Sequence, residues 1–258
     1  MSDHEDRLPR AESYATVGDR ILNLRPDPID PRDRSFASRR MGRGIVEELP
    51  DTIDYSGRQV GPVVDQGMTG SCVGQACAAL CYWLYGEMVS ARWIWMGAKE
   101  IDSWVPSVCF EGAGTQIRDA FKILNKYGAP LNIFWPLEEQ LPDSEVEHDI
   151  QADALTRRIG EYWKLETTLD QRTHLAQVGP FVVGVPVFEN WDEIQYDGRV
   201  PEPGGAQLGG HALLICGYDV GGFQVKNSWG EDWGKRGYGR ISYDYPIWDA
   251  WGTSVLTR

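Results

Sequence analysis

The chain has 258 residues, enough for one large domain or two lobes around a sizeable core, and its 42% hydrophobic content with 11 Trp, 11 Tyr and 7 Phe describes a globular protein. A formal net charge of −13 argues against non-specific binding to nucleic acid or to an anionic membrane surface, both of which need a basic face. The start, Met1-Ser2-Asp3-His4-Glu5-Asp6, is acidic where a signal peptide would be basic and then apolar, and no apolar run approaches the ~20 residues of a membrane span. Five cysteines (Cys72, Cys77, Cys81, Cys109 and Cys216) show no dense spacing, so free thiols in the cytoplasm are the default expectation, with non-classical export left open.

Residues 1–44 read as an extended N-terminal arm. Asn23 to Asp33 carries Pro26, Pro28 and Pro31, which disfavour helix, and Arg39-Arg40-Met41-Gly42-Arg43-Gly44 follows as a basic, glycine-containing stretch. Two readings are open: a strap packed on the body, or a segment that covers a cleft.

The globular part begins near Leu49-Pro50. Gln66-Gly67-Met68-Thr69-Gly70-Ser71-Cys72 is a glycine-punctuated loop that delivers Cys72 to the first turn of a helix. Ser71 is placed to cap that helix, whose partial positive charge would favour a Cys72 thiolate. Val73, Ala76, Cys77, Leu80, Cys81 and Leu84 fall at helical spacing on one face, so Cys77 and Cys81 are expected to be small buried residues. A second helix is expected after Ser90, and a third from Thr115, its expected cap, to Gly128. Glu111-Gly112-Ala113-Gly114 before it offers bare backbone to an extended peptide.

Another helix is expected over Ser144 to Arg158, then a strand over Glu161 to Thr167 and a short helix over Asp170 to Gln177. Phe181 to Phe188 reads as a buried strand in which Pro186 signals an edge or bulge. His211 to Tyr218 and Phe223 to Asn227 form a hairpin, and Tyr238 to Tyr245 and Thr253 to Thr257 close the sheet. Helices precede strands, which gives an α+β class with segregated lobes.

Of four histidines, His4 falls in the arm, and His148 and His174 lie on polar helical stretches expected to be solvated. His211 follows Gly209-Gly210 and opens an apolar strand. Asn227 ends the partner strand, where its side-chain carbonyl can fix the imidazole, and Trp229 can cover that bond. Gln66 can donate toward charge forming beside the Cys72 sulfur.

Three separated segments, Gln66-Gly67 to Cys72, Gly210-His211-Ala212, and Asn227-Ser228-Trp229-Gly230 with Trp233-Gly234 and Gly237-Tyr238-Gly239, together resemble the papain-like cysteine peptidases. Leu49-Pro50 with Ile53-Asp54-Tyr55 is similar to the start of the mature domain in that family. Thr69 and Val73 depart from the secreted members, which often carry a disulfide cysteine and an aromatic there; they resemble an intracellular or bacterial-type branch with a short N-terminal segment.

The resemblance implies a two-lobed fold, with a helical lobe (about 62–140), an antiparallel β-barrel-like lobe (about 141–258 plus 45–61) and an active-site cleft between them. It implies a Cys72, His211 and Asn227 triad with Gln66 in the oxyanion hole, Trp229 as a shield and no cofactor or metal. The expected partner is a peptide or protein substrate, not nucleic acid or membrane. Gly114, Thr115, Gly184, Gly209 and Gly210 are candidate substrate-binding residues. The arm, from about residue 20 to 44, is expected to lie across the cleft as an intramolecular inhibitor, released by cutting near Arg39-Arg40 or Arg43. Two alternatives remain: an acyl-transferring relative (a peptide ligase or amidase) using the same residues, and a peptide-binding pseudo-peptidase, which would be expected to lack part of the triad.

Overall fold

A computed structural model describes residues 15–38, 48–102, 111–139, 147–194 and 196–255. The basic stretch Arg39-Arg40 to Arg43 and Cys109 lie outside them. The arm begins with a small hairpin, β1 (Thr16–Val17) and β2 (Arg20–Ile21), and then runs extended through its prolines. β3 (Ile53–Asp54) leads into three helices: α1 (Cys72–Tyr85), α2 (Ala91–Ile101) and α3 (Ile117–Lys126). α4 (Glu147–Leu155), β4 (Ile159–Lys164) and α5 (Thr168–Gln177) follow. The chain closes with β5 (Phe181–Phe188), β6 (Gln207–Asp219), β7 (Gly222–Lys226), β8 (Tyr238–Ile241) and β9 (Asp249–Val255).

Local chemistry explains most boundaries. The Ser90 hydroxyl accepts the Trp93 N–H at 3.0 Å and starts α2, and Thr167 accepts the Asp170 N–H at 3.1 Å and starts α5. α1 ends at Gly86, whose left-handed φ of 73° suits glycine. Thr115 does not cap α3. The cap position is Gln116, without a side-chain bond, because the Thr115 hydroxyl is taken by Asp102 at 2.9 Å.

The strands form one antiparallel sheet in the order β4-β9-β5-β6-β7-β8, with β3 added on β6. This corrects the barrel-like expectation. Its ends, β4 and β8, do not pair, so the sheet stays open. Its two edges are instead covered by single bridges, Ser35 to Lys164 and Arg199 to Arg240. Pro186 sits in β5 beyond the segment 182–184 that pairs with β9, so its missing N–H costs no ladder bond on that side.

Alternation along β6 separates two cores. Ala212, Leu214 and Cys216 join α1 and α3 (Cys72, Val73, Cys77, Leu80, Ile117 and Phe121), while Leu213 and Ile215 face Phe181, Val183, Trp163 and Trp191. α1 is thereby pressed on the sheet with Cys72 at the end nearest His211. Cys77 and Cys81 are buried as expected. His174 corrects the solvated expectation. It is buried, its Nδ1–H donates to the Gly179 carbonyl at 2.9 Å, and it is ringed by Phe36, Trp163 and Phe181.

Candidate active site

The loop before α1 is held tightly. The Gly70 N–H donates to the Glu111 carbonyl at 2.7 Å, and a Cβ there would fall 2.7 Å from the Ala113 oxygen, so the position needs glycine. Gly67 adopts a left-handed φ of 55°. Ser71 does not cap the helix with its side chain. Thr69 Oγ1 bonds the Gln66 carbonyl at 2.8 Å and meets Ser71 Oγ at 2.7 Å, so the Thr69 proton goes to the carbonyl and the Ser71 proton to Thr69. The first-turn N–H groups of α1 therefore receive no bond from Ser71.

His211 and Asn227 meet across β6 and β7, with His211 Nε2 and Asn227 Oδ1 2.7 Å apart. The Ser228 backbone N–H reaches the same Oδ1 at 2.7 Å. A backbone N–H can only donate, so the shared atom is the amide oxygen and His211 Nε2 must carry a proton. Nδ1 is then the accepting nitrogen of the neutral ring, and among the described residues it has no hydrogen-bond partner. The Cys72 thiol lies near the N–H of Ala212, the residue after His211.

Gln66 is buried, with Nε2 donating to the Thr69 carbonyl at 2.9 Å and Oε1 accepting from Ser228 Oγ at 2.8 Å. One Nε2 proton remains unassigned to these bonds. Ser228 therefore orients Asn227 through its backbone and Gln66 through its hydroxyl, a role that sequence reasoning missed. Only its place between Asn227 and Trp229 hinted at it.

Trp229 packs against His211 with ring centroids 4.7 Å apart and planes tilted by 39°. Trp191, which the sequence did not single out, meets His211 edge-on at 6.3 Å and Trp229 at 5.6 Å. Behind the site Lys226 is buried and donates to the Val60 and Gly61 carbonyls at 2.6 and 3.1 Å; burial lowers its ammonium to about 8.

The thiolate expected of Cys72 is not favoured in this state. Burial pushes the thiol up to about 11, against the opposing N–H groups of Ala212, Val73 and Cys72. Burial also lowers His211 to about 4, and the Asn227 bond opposes that shift only in part. Both groups are neutral here, because desolvation outweighs the helix end.

The arm lies against the backbone beside them. Leu24 N–H donates to the Gly210 carbonyl at 3.1 Å, Asn23 Nδ2 to the Gly112 carbonyl at 2.6 Å, and Arg25 N–H to the Thr115 carbonyl at 3.4 Å. Cβ atoms added at Gly114, Gly209 and Gly210 would fall 1.6 Å from the Asn23 oxygen, 2.5 Å from the Leu22 oxygen and 2.5 Å from the Leu24 oxygen. One at Gly184 would fall 2.6 Å from Leu24 Cδ2. All five candidate substrate-binding residues, Gly114, Thr115, Gly184, Gly209 and Gly210, thus border the same stretch of extended chain. Among the described residues no group of three or more His, Cys, Asp or Glu side chains is arranged to hold a metal ion.

A thiol at a helix start, an imidazole with a fixed accepting nitrogen, an amide that orients it and a groove that takes extended backbone define the thiol-peptidase type of site. The family model described as papain family cysteine protease matches residues 49–248, and the chain belongs to that family. An uncharacterised peptidase C1-like protein of Acanthamoeba polyphaga mimivirus is 29% identical over 206 residues, covering 70% of this chain and 64% of that protein. Cysteine proteinase 1 of Zea mays is 29% identical over 221 residues, covering 76% of this chain and 57% of that one. The chain therefore spans about 64% and 57% of these two relatives. Among solved structures, xylellain, a cysteine protease from Xylella fastidiosa, superposes with a TM-score of 0.75 at 27% identity, over 92% of this chain and 96% of that one. No helix among the described residues is long and apolar enough to cross a membrane.

Proposed function

We propose that the protein is a cysteine endopeptidase that works through Cys72, His211 and Asn227, with residues from about 15 to 38 of the arm as its own inhibitor. The observation that carries the chemistry is the His211–Asn227 bond, whose oxygen is identified by the Ser228 N–H. It leaves Nδ1 as the base. Nδ1 takes the thiol proton, the Cys72 sulfur attacks the peptide carbonyl, and a tetrahedral oxyanion forms. Gln66 Nε2–H and the Cys72 N–H are the donors proposed to stabilise it. Collapse expels the amine, which takes its proton from the imidazolium, and leaves a thioester. Water, deprotonated by Nδ1, then releases the acid and restores the thiol.

Substrate direction follows from that proton transfer. The leaving half must lie toward His211 and Trp229, and the acyl half along Gly112 to Thr115 and Gly210. The arm runs the other way. Its hairpin residues 17–20 share a cavity with Trp191 and Trp229, and residues 23–25 then reach Gly112 and Thr115. A chain laid in reverse fills the groove without presenting a peptide bond in the reacting orientation, which suits an inhibitor more than a substrate.

The full chain should cleave a generic quenched peptide slowly, and Leu24→Asp should raise that rate while Cys72→Ala abolishes it. Equal rates for wild type and Leu24→Asp would remove the arm's role, and turnover by Cys72→Ala would remove the triad.

A further inference from the structure

On the leaving-group side of His211 lies a cavity of about 590 Å³. Its walls include the buried Trp191, Trp229 and Trp233, and its rim carries the exposed Asp192 and Asp232. Among the described residues the indole Nε1 atoms of Trp229 and Trp233 have no hydrogen-bond partner. Among the described residues that line it, Arg20 is the only cation, and Arg20 belongs to the arm. Its guanidinium leaves the cavity wall for Asp65, Nη2 to Oδ2 at 2.5 Å, the only ion pair among the described residues that joins the arm hairpin to the body. Asp65 adjoins Gln66 and bridges Trp229 through its backbone, and its carboxylate, which lines a neighbouring cavity, is joined to this one by the Arg20 guanidinium. When the arm departs it takes both Arg20 and Asp19 from the cavity, which keeps Asp192, Asp232 and three indole rings, with Asp65 left unpaired beside it.

Resting on the peptidase reading above, we infer that Asp65 and this tryptophan-floored cavity form a subsite that selects a lysine or arginine side chain in the first two residues after the cut, with Arg20 of the arm standing in for it. A half-exposed carboxylate gives a cation an ion pair, and the indole faces add cation–π attraction that an acidic side chain forfeits.

The test uses the full chain and quenched peptides that share one acyl half and carry Arg, Lys, Ala or Glu at the first two leaving-side positions. Wild type should favour Arg and Lys over Glu in kcat/KM by about tenfold, more at low ionic strength. Asp65→Asn, which keeps an oxygen for the Gly67 N–H, should cut that preference to about threefold or less, and Asp192→Asn/Asp232→Asn should lower it in part. Arg20→Ala should raise the rate on every peptide and keep the preference. A wild-type preference absent, or unchanged in both Asp65→Asn and Asp192→Asn/Asp232→Asn, overturns the inference and leaves the peptidase reading intact. Cleavage of no peptide by any variant overturns both.

Discussion

Asp27→Asn changes one atom in the arm, yet it should decide how the arm responds to pH. The Asp27 carboxylate is buried against α3 and β9, accepting the Arg118 N–H at 3.2 Å and the Trp251 indole N–H at 2.6 Å. Its own N–H donates to Asp249 Oδ2 at 2.8 Å, so two buried carboxylates meet where the arm docks. Around them stand Lys164 on β4, bonded to Asp249 at 2.8 Å, and Arg118, whose guanidinium is taken by Asp33. Asp30 and Tyr162 line a cavity next to them, together with Arg118 and Trp251. Burial first, and the Asp249 charge second, raise Asp27 from 3.8 to about 7. A shift of that size is worth about 4 kcal/mol of docking at ~1.4 kcal/mol per unit, as an upper bound.

The sign follows from which state binds the proton. The docked arm holds it more tightly, so docking is strongest below the free-arm value near pH 4 and weakens as pH rises to about 7, after which it levels off. Hydrogen exchange of residues 22–28, corrected for intrinsic rates and referenced to β6 amides, reads this directly. Wild-type protection should fall by up to tenfold per pH unit across that window. Asp27→Asn should be flat with pH, at a level lowered by the one accepted bond that its amide nitrogen cannot replace. Parallel profiles for the two proteins, or protection that rises with pH in wild type, would refute the argument.

Other predictions concern the site and its cover. Gln66→Ala should lower kcat by about 10²–10³ with a small change in KM, as the loss of an oxyanion donor does. Ser228→Ala keeps the N–H on Asn227 but leaves the buried Gln66 Oε1 without its donor, so kcat should fall by about tenfold and stability by about 1–3 kcal/mol. Leu24→Asp places a carboxylate where a leucine is 5% exposed against Gly184 and Ile117, and should raise the basal peptidase rate by at least about tenfold.

How much was legible from sequence depended on the range of the interaction. α1, β5 and the β6–β7 hairpin followed from apolar period and turn chemistry, and Cys72, His211 and Asn227 became candidates through their places on them together with the family resemblance. His174 was misread because its helix is polar, yet Phe36 of the arm and β5 close over its ring, a contact no local pattern records. Thr115 looked like a cap until Asp102, on another helix, took its hydroxyl. Ser228 was invisible as an organiser because both of its bonds depend on how the loop before α1 meets the end of β7. The glycines at 114, 209 and 210 could be named as candidate substrate-binding residues, but the arm residues Leu22, Asn23 and Leu24 that lie against them could not be read from local pattern.

The central claim is that Cys72 is the nucleophile, activated by His211 and covered by the arm. Peptide mapping by mass spectrometry after treatment with a peptidyl epoxide tests it most directly. One adduct on Cys72 is predicted, faster in Leu24→Asp than in wild type and lost in His211→Ala. An adduct on Cys77, Cys81 or Cys216 instead, or labelling of Cys72 indifferent to His211, would contradict it.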